Sequence, residues 1–235
     1  MTMKTLITLS LALAAASVAA QQNQPQQHQQ RFTTISGGLE IGIPIGEFDA
    51  TWGHQMVGLS ANMVIPMRRL PLSYGFDFGW SRMGSKREVV AIDEENIQAT
   101  TGDLKVTSNV YAYHGLLRLQ PITGKVSPYV EAMGGMRQFT TRSRIDVEGM
   151  DQPLMEQRNE NEFIGSIGWA AGVQVLPGKN RNLLLELRLE RLNGGQVNYV
   201  DPRSIVITPD GVVDYSTLSS GTRVVNLTFG VGLRF

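Results

Sequence analysis

Val224-Val225-Asn226-Leu227-Thr228-Phe229-Gly230-Val231-Gly232-Leu233-Arg234-Phe235 closes the chain in strict alternation. Val225, Leu227, Phe229, Val231, Leu233 and Phe235 share one face, and Asn226, Thr228, Gly230, Gly232 and Arg234 share the other. Successive side chains of a strand point to opposite sides, so a period of two is a strand signal and not a helix signal. The pattern recurs upstream. Ile35, Gly37, Leu39, Ile41, Ile43 and Ile45 alternate with Ser36, Gly38, Glu40 and Gly42. Leu72, Tyr74, Phe76, Phe78 and Trp80 alternate with Ser73, Gly75, Asp77, Gly79 and Ser81. Leu183, Leu185, Leu187 and Leu189 alternate with Leu184, Glu186, Arg188 and Glu190. Eight segments read this way, at about 33–45, 55–66, 72–83, 106–120, 127–140, 163–176, 182–193 and 222–235.

The connections alternate in length. Residues 67–71, 121–126 and 177–181 are short and carry turn chemistry in Leu70-Pro71, Pro121-Ile122-Thr123-Gly124 and Pro177-Gly178-Lys179-Asn180. Residues 46–54, 84–105, 141–162 and 194–221 are longer. In an antiparallel meander this places every short turn, and both chain termini, at one end and every long connection at the other. Within 194–221, Ser204-Ile205-Val206-Ile207 and Val212-Val213-Asp214-Tyr215 flank Thr208-Pro209-Asp210-Gly211, which predicts a hairpin. The strands are therefore expected to continue as a protruding sheet whose edges either pair with another chain or shield each other.

Composition narrows the class. The 235 residues hold no cysteine, 21 Lys+Arg against 21 Asp+Glu, and 25 glycines. This excludes disulfide scaffolds and thiolate metal sites and gives no footing for a nucleic-acid binder. Met1 to Ala20 has one lysine, an apolar run from Leu6 to Ala16 and small residues Ser17-Val18-Ala19-Ala20, the build of a secretory signal peptide. Gln21–Gln30 reads QQNQPQQHQQ, and 21–31 is expected to be a disordered tail, with the barrel domain at 32–235. The predicted inward faces carry Gly, Ser, Ala and a few charges, suited to a narrow lumen. The predicted outward faces carry uninterrupted aromatic and Leu sets, which need lipid. The fold class is all-β: an eight-stranded antiparallel up-and-down transmembrane β-barrel with long extracellular loops.

These features, together with Gly230-Val231-Gly232-Leu233-Arg234-Phe235 at the end and Pro128-Tyr129-Val130-Glu131-Ala132 opening the fifth strand, resemble a small bacterial outer-membrane β-barrel of the OmpA/OmpX/OmpW-like class. The resemblance implies the outer membrane of a Gram-negative-type bacterium after signal-directed export. It also implies an assembly signal in Phe229, Val231, Leu233 and Phe235 read by the barrel assembly machinery, and long loops outside the cell. The Gln-rich tail is not typical of plain eight-stranded members.

Parity collects Glu40, Asp77, Glu131, Glu186 and Glu190 inside, with Arg118, Arg137, Arg188 and Arg234. Eight strands enclose little more than their own side chains, so a salt-bridged plug is favoured over a narrow ion path. His114 is also inward and is expected to be hydrogen-bonded. His28, His54 and His114 have no metal-ligand spacing, and the residues two after each are Gln30, Met56 and Leu116, so no His/Ser pair of a lipid deacylase is present. Asp146, Glu148 and Asp151, like Asp93-Glu94-Glu95, read as solvated acidic loops. No catalytic residue, cofactor or metal is assigned. The expected function is a non-enzymatic envelope, adhesion or secretion-support barrel that meets a protein partner through 84–105, 141–162 and 194–221. The alternatives are a conduit for small or hydrophobic solutes and a lipid-modifying barrel enzyme.

Overall fold

The computed structural model describes residues 32–68, 70–92, 100–147, 152–177, 182–207 and 213–235. The segments 1–20 and 21–31 with His28, the acidic Asp93-Glu94-Glu95, Glu148, Asp151, Gly178-Lys179 and Pro209-Asp210-Gly211 lie outside the described residues. Eight long strands close a barrel: β1 (Thr34–Pro44), β2 (Met56–Pro66), β3 (Leu72–Ile92), β4 (Thr100–Leu119), β5 (Val126–Val147), β6 (Met155–Val175), β7 (Leu183–Val200) and β10 (Thr217–Arg234). Each pairs antiparallel with its neighbours in sequence. The last strand closes on the first over the ladder from Thr34↔Arg234 to Pro44↔Val224. A short hairpin, β8 (Val206–Ile207) and β9 (Val213–Asp214), lies where the sequence predicts one.

The alternation sorts the wall. Leu39, Val57, Phe76, Leu117, Val130, Ile167, Leu187 and Phe229 face out and are exposed, whereas their neighbours Glu40, Asp77, Leu116, Arg118, Glu131, Glu186 and Arg188 are buried. Along β5 the outward apolar run extends from Val126 to Met136 and stops at Gln138. At about 3.3 Å per residue and a tilt near 40°, ten residues rise about 25 Å, the height of a lipid-facing barrel band. The outward positions beyond it are Arg82 on β3, Asn109 on β4, Asn161 on β6, Arg191 on β7 and Arg223 on β10.

Much of what reads as long loop is strand. Residues 84–92, 100–105, 141–147, 155–162, 194–200 and 217–221 all extend the ladders. The reason is a second buried face. Leu104, Val106, Ile145 and Val147 turn inward against Val200 and Ile205, so these extensions have a core of their own. Pairing of β2 with β3 ends at Val57↔Arg82, and pairing of β6 with β7 ends at Ser166↔Gly194. Beyond those points β3–β6 form a four-stranded blade and β7–β10 a separate ribbon. The connection 46–54 contains a helix that the alternation did not predict, α1 (Glu47–Trp52). Glycines with φ near +66° bracket it at Gly46 and Gly53, a backbone region that side chains disfavour. Phe48 and Trp52, four apart on one helix face, are buried inside the barrel mouth.

Candidate functional site

The lumen brings together eight of the nine charged residues that parity collects. Glu40, Asp77, Arg118, Glu131, Arg137, Glu186, Arg188 and Glu190 are each no more than 6% exposed. Arg188 on β7 is the hub: Nη1 meets Asp77 Oδ1 at 2.7 Å, Nε meets Glu131 Oε2 at 2.9 Å and Nη2 meets Glu190 Oε2 at 2.9 Å. Arg118 on β4 bridges Glu131 Oε1 at 2.7 Å and Glu186 Oε1 at 3.3 Å, with its guanidinium 3.8 Å from the centre of the Tyr129 ring. Glu186 accepts further bonds from Tyr129 Oη at 2.7 Å and Gln174 Nε2 at 3.1 Å, and from the Ser36 hydroxyl. Ser81 donates to Glu40, Asn226 donates to Glu190, and Arg137 donates to the Thr222 carbonyl at 2.8 Å. Buried charges persist only when paired and hydrogen-bonded, and here the partners come from strands on opposite sides of the barrel.

Two sequence expectations are corrected. Arg234 is outside this network: it lies at the short-turn end with its guanidinium 4.7 Å from the centre of the Phe32 ring. Five carboxyl groups therefore face three guanidinium groups, not four. Arg234 occupies the outermost rung of the closing seam, opposite Thr34, so correct parity still leaves it below the packed lumen. His114 is fully buried, but neither Nδ1 nor Nε2 has a hydrogen-bond partner among the described residues. Its β5 partner is Gly135, which brings no side chain to the imidazole.

The lumen is also more apolar than alternation implied. At the mouth, Phe48, Trp52, Met56, Met83, Val110, Phe139, Ile164, Leu192, Val197, Tyr199 and Val224 form one cluster. Phe48 stands edge-on to both Phe139 and Tyr199, at 6.3 and 5.8 Å between ring centres. A smaller group, Val64, Leu116, Met133 and Ala170, packs beside the charges. Register shifts at Arg82/Gly84, Thr141/Arg142 and Gly221/Arg223 disturb the simple parity near the mouth. The spacing of Phe48 and Trp52 was the available signal for the helix. Tyr129, Ser36, Ser81, Gln174 and Asn226 were legible as inward by the same parity as the charges.

Asp146 is at the end of β5 and not in a loop. Its carboxylate accepts from Lys105 Nζ at 2.7 Å and Arg144 Nε at 2.6 Å, and these bonds hold it below the usual carboxylate range. No group of three or more acidic, His or Cys residues placed to hold a metal occurs among the described residues. Phe229, Val231, Leu233 and Phe235 all face outward, 48–66% exposed.

No family model and no curated protein sequence matches the chain. Solved structures do. The attachment invasion locus protein Ail of Yersinia pestis, in complex with the heparin analogue sucrose octasulfate, is 14% identical, covering 88% of this chain and all of that one, with a TM-score of 0.46. The outer membrane protein OprG of Pseudomonas aeruginosa is 12% identical over 90% of this chain and 99% of its own, with a TM-score of 0.45. Neisserial surface protein A is 15% identical over 87% and 96%, with a TM-score of 0.40.

Proposed function

We propose that the chain is an exported, non-enzymatic β-barrel of the outer membrane of a Gram-negative-type bacterium, with a lumen filled by its own side chains. Its working surface is the sheet that protrudes outside the cell. One observation carries this reading: polarity reverses along the wall. Within the band, apolar residues such as Phe76, Leu117 and Val130 face out and charges face in. Beyond it, Leu104, Val106 and Ile145 face in, while Lys105, Arg142 and Arg144 face out. A soluble barrel would be apolar-in throughout, whereas one crossing lipid inverts where it leaves the hydrocarbon. The protruding blade and ribbon supply the surface for a protein partner, and the outward terminal strand supplies what the assembly machinery reads.

The test is epitope display. A tag at Pro209-Asp210-Gly211 should leave a heat-modifiable barrel and be reached by antibody on intact cells. A tag at Gly178-Lys179 should be reached only after the outer membrane is opened. Reversed labelling overturns the topology, and labelling of neither site in the membrane fraction overturns the location. A narrow conduit is the second reading, favoured by the ring nitrogens of His114 and the hydroxyl oxygens of Ser166 and Thr228, which have no hydrogen-bond partner among the described residues. Polar buried atoms without protein partners are where internal water sits. Planar-bilayer recording separates the two: a filled lumen gives no stable conductance.

A further inference from the structure

The outer wall of β3–β6, just beyond the apolar band, carries cations in adjoining rungs. Register sets Arg87, Lys105 and Arg144 directly side by side on β3, β4 and β5. Two residues nearer the band, Arg142 on β5 stands directly opposite Arg158 on β6. Lys105, Arg142 and Arg144 point away from the barrel interior, because their neighbours Leu104, Val106, Ser143 and Ile145 fill it, and Arg87 and Arg158 share that face as the direct partners of Lys105 and Arg142. Asp146 serves Lys105 and Arg144, and Glu156 lies across from Arg144. Arg87, Arg142 and Arg158 have no ion pair among the described residues. Like charges directly opposite on neighbouring strands are destabilising, so folding alone gives no reason for the Arg142–Arg158 rung. An anion between two guanidinium forks removes the repulsion, and a phosphate matches the forks in geometry and charge.

Height and the wall below point to the source of that anion. Arg142 lies four residues beyond Gln138, the first polar outward residue on β5. That is about 13 Å along the strand and about 10 Å in height at a tilt near 40°. Arginine arms bend back toward a membrane, which brings the guanidinium groups into a headgroup layer about 5–8 Å deep. Lower on β4 and β5, Gly115 and Gly134 face each other in register. A furrow of about 390 Å³ runs over them beside Leu117 and Ala132. A Cβ at Gly134 would meet nothing within 4 Å, so this groove is open, apolar and continuous with the lipid-facing band.

We infer that this wall is a binding site for a phosphorylated lipid of the surrounding membrane. The phosphate sits between Arg142 and Arg158 with Lys105 and Arg144 beside it, and an acyl chain runs down β4 and β5 into the Gly115–Gly134 furrow. The inference rests on the outer-membrane reading above. Its occupant is a lipid and not a soluble anion, because the Lys105–Arg144 rung stands on the same two strands as the apolar furrow, β4 and β5, and the Arg142–Arg158 rung adjoins it on β5.

The experiment refolds the full chain in phosphatidylcholine vesicles, alone or with diphosphoryl lipid A. It then counts lipid carried into detergent by native mass spectrometry. Lipid A should be retained, and Arg142→Gln with Arg158→Gln should retain less by about tenfold or more for the pair, as loss of charged hydrogen bonds predicts. Gly134→Leu should also cut retention while leaving the arginines in place. Equal retention by the arginine pair variant, equal retention of dephosphorylated lipid A, or displacement by an equal amount of inorganic phosphate each overturns the lipid site. Heat-modifiability and protease protection in the neutral vesicles report the membrane reading separately. A barrel that inserts but keeps no lipid refutes only this inference, whereas one that never inserts refutes both.

Discussion

Arg188→Leu is the most demanding perturbation of the lumen. The wild-type guanidinium holds Asp77, Glu131 and Glu190 at 2.7, 2.9 and 2.9 Å, all from positions no more than 4% exposed. Leucine keeps apolar bulk but leaves Asp77 and Glu190 with no guanidinium in contact, and Glu131 with Arg118 alone. Removing one partner of a buried pair costs about 3–5 kcal/mol, which is about 150- to 5,000-fold in the folding equilibrium. The cost belongs to the stranded carboxylates. Arg188→Leu combined with Asp77→Asn and Glu190→Gln should therefore recover more than half of it, since neutral amides can be buried more cheaply. The assay is denaturant-dependent refolding in phosphatidylcholine vesicles, followed by heat-modifiable migration. A single-variant loss under about 1 kcal/mol, a value typical of exposed ion pairs, would refute the reasoning, as would a triple variant worse than the single.

Phe76, half-exposed on the outer wall, should tolerate no charge: Phe76→Arg should lower refolding stability by about 2–4 kcal/mol, and a harmless change would place β3 in water. Leu233→Asp, or deletion of Phe235, should reduce heat-modifiable barrel in the outer membrane, and normal assembly of both would sink the terminal-strand signal. Phe48→Ala removes a fully buried ring from the mouth cluster at a cost of about 3 kcal/mol. It should expose 46–54 to limited proteolysis while the barrel stays folded, so unchanged cleavage would contradict the anchoring of α1 by Phe48. Asp146 is held below its ordinary value by Lys105 and then Arg144, so that contribution is present above the usual unfolded carboxylate value and fades as pH falls through the lower folded one. Hydrogen-exchange protection at the β4–β5 tip, corrected for the intrinsic rate at each pH, should fall below about pH 3.9, and Asp146→Asn should show the lower protection already at neutral pH.

The band was legible because lipid outside and a narrow lumen inside impose opposite chemistries on a period-two pattern. Phe76 against Asp77 and Leu187 against Arg188 could only be sorted one way. Strand number, the closing seam and the inward charges follow from that sorting. The protruding halves were harder to read because their rule reverses. There Ile145 and Val147 are inside and Arg144 is outside, so a reader following outward apolar faces loses the strand at the membrane edge. Register shifts near Arg82, Thr141 and Gly221 add to the loss by moving the parity at that same level. The helix was missed for a different reason: six residues are too few for a periodic pattern, and only the pair Phe48 and Trp52 marks its buried face.

The charged lumen makes sense as specification more than as stability. Well-packed apolar residues often replace a buried ion pair at no loss. In lipid, however, a strand with two apolar faces has no preferred inside, and a one-residue slip exchanges the faces. The sequence β7 presents, Leu184, Glu186, Arg188, Glu190 and Leu192, removes that ambiguity by making a one-residue slip put three charges into hydrocarbon. Its partners do the same from across the barrel: Asp77 on β3, Arg118 on β4 and Glu131 on β5 meet these side chains or one another only when those strands are in register. The network thus couples registers that local pairing alone leaves independent. The outer blade, whose chemistry is apolar-in like that of a soluble sheet, keeps no comparable buried network among the described residues, because its apolar inner face already tells inside from outside.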